Sequence, residues 1–213
     1  MGLLTKLTEL WLDQNDIAGS IPTELGRLNE LPYLDLYKNS LTGSIPTELG
    51  ELTGLYYLNL ARNRLDESIP TELGLLAELT YLDLSNNFLT GSIPTELGEL
   101  TGLYSLFLVV NELDGSIPTE LGLLTKLSDL SLNDNSLEGE LPVALSDLIN
   151  LKKLYLENNI GLSGTVPVEF KSLTNLMVVD LRNTNISGGF DEAFCSSNTE
   201  LKTDVECSCC INY

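Results

Sequence analysis

The sequence contains no histidine. That absence removes the commonest general base, every Ser-His or Cys-His nucleophile, and the usual zinc hydrolase ligand sets. Positive charge is also scarce. Eleven Lys and Arg stand against 31 Asp and Glu, giving a formal net charge of −20 and a sequence pI near 4.1. Such an acidic excess repels phosphate backbones and anionic bilayer surfaces, so nucleic acid is not an expected partner. The same charge favours solubility of a sheet-rich chain. No apolar run approaches 18 residues, so no membrane span is expected in this chain. GxxxxGK[ST] loops and kinase motifs are missing too. Carboxylates are numerous, but rows of them on exposed faces lack the deep cleft that raises one pKa in a glycosidase-like pair. Neither an enzyme nor a cofactor is expected.

The N-terminal MGLLTKLTELWL lacks the charged n-region and unbroken apolar core of a secretory signal. Lys6 stands where the myristoylation pattern needs Ser or Thr. GLLTKL at Gly2–Leu7 recurs identically at Gly122–Leu127, so the chain starts partway through a repeat. A truncated or mature form of an extracellular or cell-surface protein is the expectation.

What the chain has in plenty is one heptapeptide. SIPTELG occurs five times unchanged, beginning at Ser20, Ser44, Ser68, Ser92 and Ser116. Degraded copies follow as GELPVAL from Gly139 and GTVPVEF from Gly164, the second one residue late. A fixed period in this range means stacked coils. Each unit reads LxxLxLxxNxLxGxIPxxLGxLxx, with its first leucine at Leu7, Leu31, Leu55, Leu79, Leu103, Leu127, Leu151 and Leu176. The asparagine stands at Asn15, Asn39, Asn63, Asn87, Asn111, Asn135 and Asn159, with Thr184 in the eighth place. Alternation in segments such as Leu10-Trp11-Leu12 predicts short strands with one buried face. Stacked asparagine amides would satisfy backbone groups that a tight buried turn otherwise orphans. The TELG segment is long enough only for a turn or two of helix.

This pattern resembles the plant-type leucine-rich repeat of receptor-kinase ectodomains and polygalacturonase-inhibiting proteins, over about residues 3–188. The resemblance implies an α/β repeat solenoid: a right-handed superhelix of about eight 24-residue repeats with a concave parallel β-sheet. A second short sheet around GxIP is implied as well. Glu67 replaces the repeat glycine in ARNRLDESIP, which puts the second sheet of the third coil in question. Residues 1–188 are read as the solenoid and 189–213 as a C-terminal cap. All four cysteines, Cys195, Cys207, Cys209 and Cys210, fall in that last segment. Disulfides closing an apolar end are expected there, with three pairings open and a four-thiolate zinc site as the rival.

Function should reside where the coils differ. Outward positions of the strands read Trp11, Asp35, Asn59, Asp83, Phe107, Ser131, Tyr155 and Asp180, flanked by Tyr33, Tyr57 and Tyr81 on one side and Tyr37 on the other. Aromatics beside a few charges are the composition of a recognition hot spot. Trp11, Tyr33, Asp35, Tyr37, Tyr57, Tyr81, Asp83 and Phe107 are therefore the expected ligand-binding residues for a protein or peptide. Packing of the rings on one another across strands is the structural alternative. Val109 and Val110 replace polar residues and extend the apolar patch beside Phe107. Tyr57→Ala with Tyr81→Ala is expected to abolish ligand capture and leave stability nearly intact.

Two other functions fit the pattern. Rows of hydroxyls, Ser20 to Ser116 and Thr23 to Thr119, would suit adsorption to ice or to a cell-wall polysaccharide, making glycan a possible partner. A structural or adhesive array would use neither surface. The glutamate row Glu24, Glu48, Glu72, Glu96 and Glu120 reads as charge that discourages sideways association. One glycosylation sequon, Asn185-Ile186-Ser187, is present.

Overall fold

The computed structural model describes residues 6–194 and 199–204, the side chains of residues 191 and 192 excepted. Each coil opens with a three-residue strand whose central side chain points inward. Leu34, Leu58, Leu82, Leu106, Leu130 and Leu154 are fully buried at these positions. Nine such strands, Glu9–Trp11 through Glu200–Lys202, form one parallel sheet in strict chain order among the described residues. The register advances one repeat per strand: Leu10 faces Leu34, which faces Leu58, which faces Leu82. Eight strands were expected from the repeats. The ninth, Glu200–Lys202, pairs with Val178–Asp180 and lies in the segment read as the cap. The four cysteines lie outside the described residues.

The asparagine at each turn bonds in three directions. In the fourth coil the Asn87 amide oxygen accepts from the Leu65 amide at 3.0 Å. Its nitrogen donates to Leu60 O of the preceding coil at 3.1 Å and to Leu84 O of its own at 3.0 Å. The pattern holds for Asn39, Asn63, Asn111, Asn135 and Asn159. Asn15 in the first coil donates only within its own turn. Thr184 likewise donates to Leu181 O of its own coil.

Beyond the turn a second set of short parallel strands runs in three groups. Ala18–Gly19, Ser40–Gly43 and Arg64–Leu65 form one, Thr90–Ser92 and Glu112–Asp114 another, and Glu138–Glu140, Asn159–Gly164 and Thr184–Ile186 the third. The one-residue insertion in the seventh coil is absorbed as a register shift between Asn159 and Ser163. Glu67 adopts φ +63°, close to Gly43 at +76° and Gly91 at +71°. The Thr90 amide still donates to Glu67 O at 2.9 Å. The sheet breaks after Glu67, but it breaks identically at Ser116, where Gly115 is present. The backbone path therefore survives the substitution. What Glu67 adds is strain, about 1 kcal/mol for a side chain held in the left-handed region.

The outer side consists of five-residue 3₁₀ turns, among them Thr23–Arg27, Thr47–Glu51 and Thr71–Leu75, each preceded by a proline near φ −65°. Leucines from strand, turn and outer segments share one continuous core from Ile21 to Leu201. The coils press closest at the TELG glycines. A Cβ on Gly50 would lie 2.4 Å from Glu72 O, and one on Gly98 2.5 Å from Glu120 O. Only glycine allows that approach.

Candidate functional site: an aromatic ladder on the concave sheet

Pairing across the nine strands builds two outward columns. One runs Glu9, Tyr33, Tyr57, Tyr81, Ser105; the other runs Trp11, Asp35, Asn59, Asp83, Phe107. These are the columns expected from the repeat. On the first five strands they form a continuous stack of rings. Trp11 and Tyr33 lie 5.9 Å apart at 22°, Tyr33 and Tyr57 6.3 Å apart at 36°. Tyr57 and Tyr81 stack at 4.5 Å and 10°, and Phe107 tilts at 60° against Tyr81 at 5.6 Å. Trp11 at the head of the stack is 51% exposed.

The spacing of that stack has a chemical consequence. Tyr57 and Tyr81 alone in the ladder lie at about one strand spacing, ~4.8 Å, and nearly parallel, so these two present their faces to each other. That stacking leaves their ring edges free of each other, while their hydroxyls bond to Asp35, Asn59 and Asp83 on the sheet. Ring edges carry the positive end of the aromatic quadrupole and suit oxygen acceptors better than cations.

Asp35 and Asp83 serve the sheet as well as its surface. Asp35 is 6% exposed, and one carboxylate oxygen accepts the Tyr37 amide at 2.9 Å. Asp83 does the same for the Ser85 amide at 2.9 Å, and the Tyr81 hydroxyl donates to its other oxygen at 3.2 Å. Asn59, between them, accepts the Ala61 amide and donates to the Tyr57 hydroxyl at 3.1 Å. This is the side-chain turn that Asx residues make two positions before a bend. Burial pushes the Asp35 carboxyl above its usual range, opposed by the Tyr37 amide. Burial also raises the Tyr57 phenol, and raises the Tyr81 phenol further, with Asp83 adding to it. Both phenols stay protonated and remain donors.

Tyr37 stands apart from the ladder, with the Arg62 guanidinium over its ring at 5.8 Å. One participant escaped the sequence reading. Tyr56, one place outside the strand, packs on Tyr33 at 5.9 Å. Glu9 accepts from the Trp11 indole at 3.0 Å. A chain of aromatics within one repeat, LYYL, was the available signal for Tyr56.

After Phe107 the face becomes polar and self-paired. Lys153 pairs with Asp129 at 3.0 Å. Arg182 clamps Asp180 through both carboxylate oxygens, at 2.9 and 2.6 Å. On the opposite side of the coil, Ser20, Thr23, Ser44, Thr47, Ser68 and Thr71 border an open groove of about 720 Å³. There the hydroxyls of Thr47, Thr71, Thr95 and Thr119 each donate to the glutamate that follows, at 3.1–3.4 Å. Among the described residues no cluster of three or more acidic or cysteine side chains could hold a metal ion. No helix among them is long and apolar enough to cross a membrane.

A family profile described as a leucine-rich repeat region matches residues 6–182. The chain belongs to the leucine-rich-repeat family. Its relatives among solved structures identify this leucine-rich-repeat chain as plant-type. A plant peptide hormone receptor, RGFR1 in complex with RGF2, is 37% identical with a TM-score of 0.92, over 96% of this chain and 33% of that one. The structure of a TDR receptor is 31% identical at 0.89, over 96% and 35%. A plant ice-binding protein is 27% identical at 0.71, over 92% and 72%. The leucine-rich-repeat chain thus spans about a third of the length of the receptors it matches. No curated protein matches it.

Proposed function

We propose that this chain is a non-catalytic ligand-recognition module of an extracellular receptor or secreted protein, and that it binds an extended peptide along the concave ladder. The ring stack from Trp11 to Phe107 is the observation that carries the reading. Five strands make four steps of ~4.8 Å, about 19 Å, the reach of roughly six extended residues. The stacked Tyr57 and Tyr81 rings offer edge C–H groups to the carbonyls of such a peptide. They deny a sugar ring the free aromatic faces on which it would stack, so a peptide suits the surface better than a glycan. The similar receptor whose structure contains RGF2 gives the reading its precedent. A stiff scaffold loses little entropy on docking. Residues 189–213 are proposed to close the end of the solenoid.

The test is selection from a library of linear 12-residue peptides displayed on phage. Wild-type protein is expected to enrich a sequence family, and Tyr57→Ala/Tyr81→Ala protein to lose those clones by at least tenfold in affinity. The stacking and hydrogen bonds of this pair raise the cost of its removal above the near-zero expected from sequence, to about 2 kcal/mol. Circular dichroism of the variant should still show the folded sheet. No enrichment by the wild type, or equal capture by the variant, refutes the reading.

The plant ice-binding neighbour favours a second reading, adsorption through the Ser/Thr rows. Inhibition of ice recrystallisation by the wild type and its loss in Thr71→Tyr would support it. The hydrogen bonds from Thr47, Thr71, Thr95 and Thr119 to neighbouring glutamates weigh against it, because hydrated carboxylates break up a flat face.

A further inference from the structure

Nine non-glycine residues have positive φ among the described residues: Gln14, Lys38, Arg62, Glu67, Asn86, Val110, Asp134, Asn158 and Asn183. All but Glu67 occupy the place just before the turn asparagine or its Thr184 counterpart, and seven of these eight are polar. Val110, at φ +56°, is the one β-branched residue in the set. A β-branched side chain in this region is an outlier that its surroundings must hold in place. Nothing in the core requires it, because Val110 is 44% exposed. An exposed apolar residue in a strained conformation contributes neither solubility nor stability.

The backbone sets Val110 at the end of the ring ladder. Phe107 closes the stack, Leu108 turns inward, and Val109 follows on the outward side. In the coil before, the Asn86 amide donates to Val109 O at 2.8 Å and the Asn87 amide to Val110 O at 3.2 Å. Phe88, next in sequence, is 52% exposed. At the same turn the other coils carry Tyr37-Lys38, Ala61-Arg62, Asn133-Asp134 and Glu157-Asn158. Val109-Val110 is thus the one wholly apolar pair at this turn, two residues along the chain from the last ring of the ladder.

We propose that Phe107, Val109, Val110 and Phe88 form a subsite for one apolar side chain, aliphatic or aromatic, of the extended peptide bound along the ladder. This proposal rests on the peptide-binding reading above. The peptide leaves the concave face over the turn of the fifth coil, and its apolar residue covers the exposed valine. The strain at Val110 is retained because a polar residue there would remove the surface the ligand covers.

The experiment uses the full chain, peptides selected by the wild type from the 12-residue phage library, and two variants. Val110→Asn matches Asn86 and Asn158 at the equivalent position and should raise the unfolding midpoint by about 2–4 °C. The same variant should bind the selected peptide about tenfold more weakly. Replacing the apolar peptide residue by alanine should weaken wild-type binding similarly and leave binding by Val110→Asn nearly unchanged. Val110→Leu, which keeps the apolar surface, should retain capture. Unchanged affinity in Val110→Asn would overturn the subsite while leaving peptide recognition standing. A lower midpoint in that variant would overturn the assignment of strain, and with it the argument. Failure of the wild type to select any peptide would refute the parent reading and this one together.

Discussion

Asn87→Ala is expected to destabilise the fold by about 4 kcal/mol, read as a shift in the denaturant midpoint at constant slope. The side chain is buried, and its truncation strips the Leu65 amide of its partner. That buried N–H then carries the full desolvation penalty, about 1–3 kcal/mol. The carbonyls suffer less. Leu60 O keeps the donor from Asn63, and Leu84 O keeps the donor from Asn111. Each loses one bond of about 1 kcal/mol. Asn15→Ala supplies the control. Asn15 is exposed, donates only to its own coil, and should cost about 0.5 kcal/mol or less. Equal effects at the two positions would show that the amides do not join the coils.

Gly74→Ala is expected to cost about 3 kcal/mol and lower the melting midpoint by roughly 6–12 °C. The new Cβ would lie 2.4 Å from Glu96 O and 2.8 Å from Glu96 Cβ, a collision with backbone that no rotamer relieves. The coils would have to part along the whole 3₁₀ face. Gly54→Ala is the contrasting change, because there the nearest atom is Asn29 O at 3.9 Å. It should be neutral or stabilise by a few tenths of a kcal/mol through the unfolded chain. A tolerant Gly74 would mean that the outer turns are loosely packed.

Most of the architecture was legible because a repeat exposes its own register. Once Leu10 and Leu34 are aligned, alternation places Trp11 and Asp35 on the outer face, and the structure pairs them. The asparagine role followed from amide chemistry and a position before a tight turn. The TELG glycines were harder. Their need comes from the distance between coils, which no single coil encodes. Plane angles were invisible for the same reason: whether Tyr57 and Tyr81 present faces or edges depends on how neighbouring rings settle. The hydrogen bonds of Asp35 and Asp83 to their own backbones were also missed, although Asp two residues before a bend was a readable signal. Val109 and Val110 were legible as apolar intruders. The positive φ at Val110 belongs to the turn and emerged only with the backbone.

The eighth coil breaks the rule of the others. With Thr184 in the asparagine place, Leu156 O has the amide of its own Asn159 and lacks the second donor that Leu60 O and Leu84 O receive from the following coil. The amides that bridge the seventh and eighth coils are exposed ones instead, Asn183 to Asn158 Oδ1 at 3.0 Å and Asn185 to Ile160 O at 2.7 Å, where water competes for the bond, so this seam is weaker than those closed by a buried asparagine. Heat or mechanical pulling should open the molecule there before it reaches the middle. The ring-bearing coils lie at the far end from that seam, so opening of the carboxy-terminal coils should leave the ring ladder assembled.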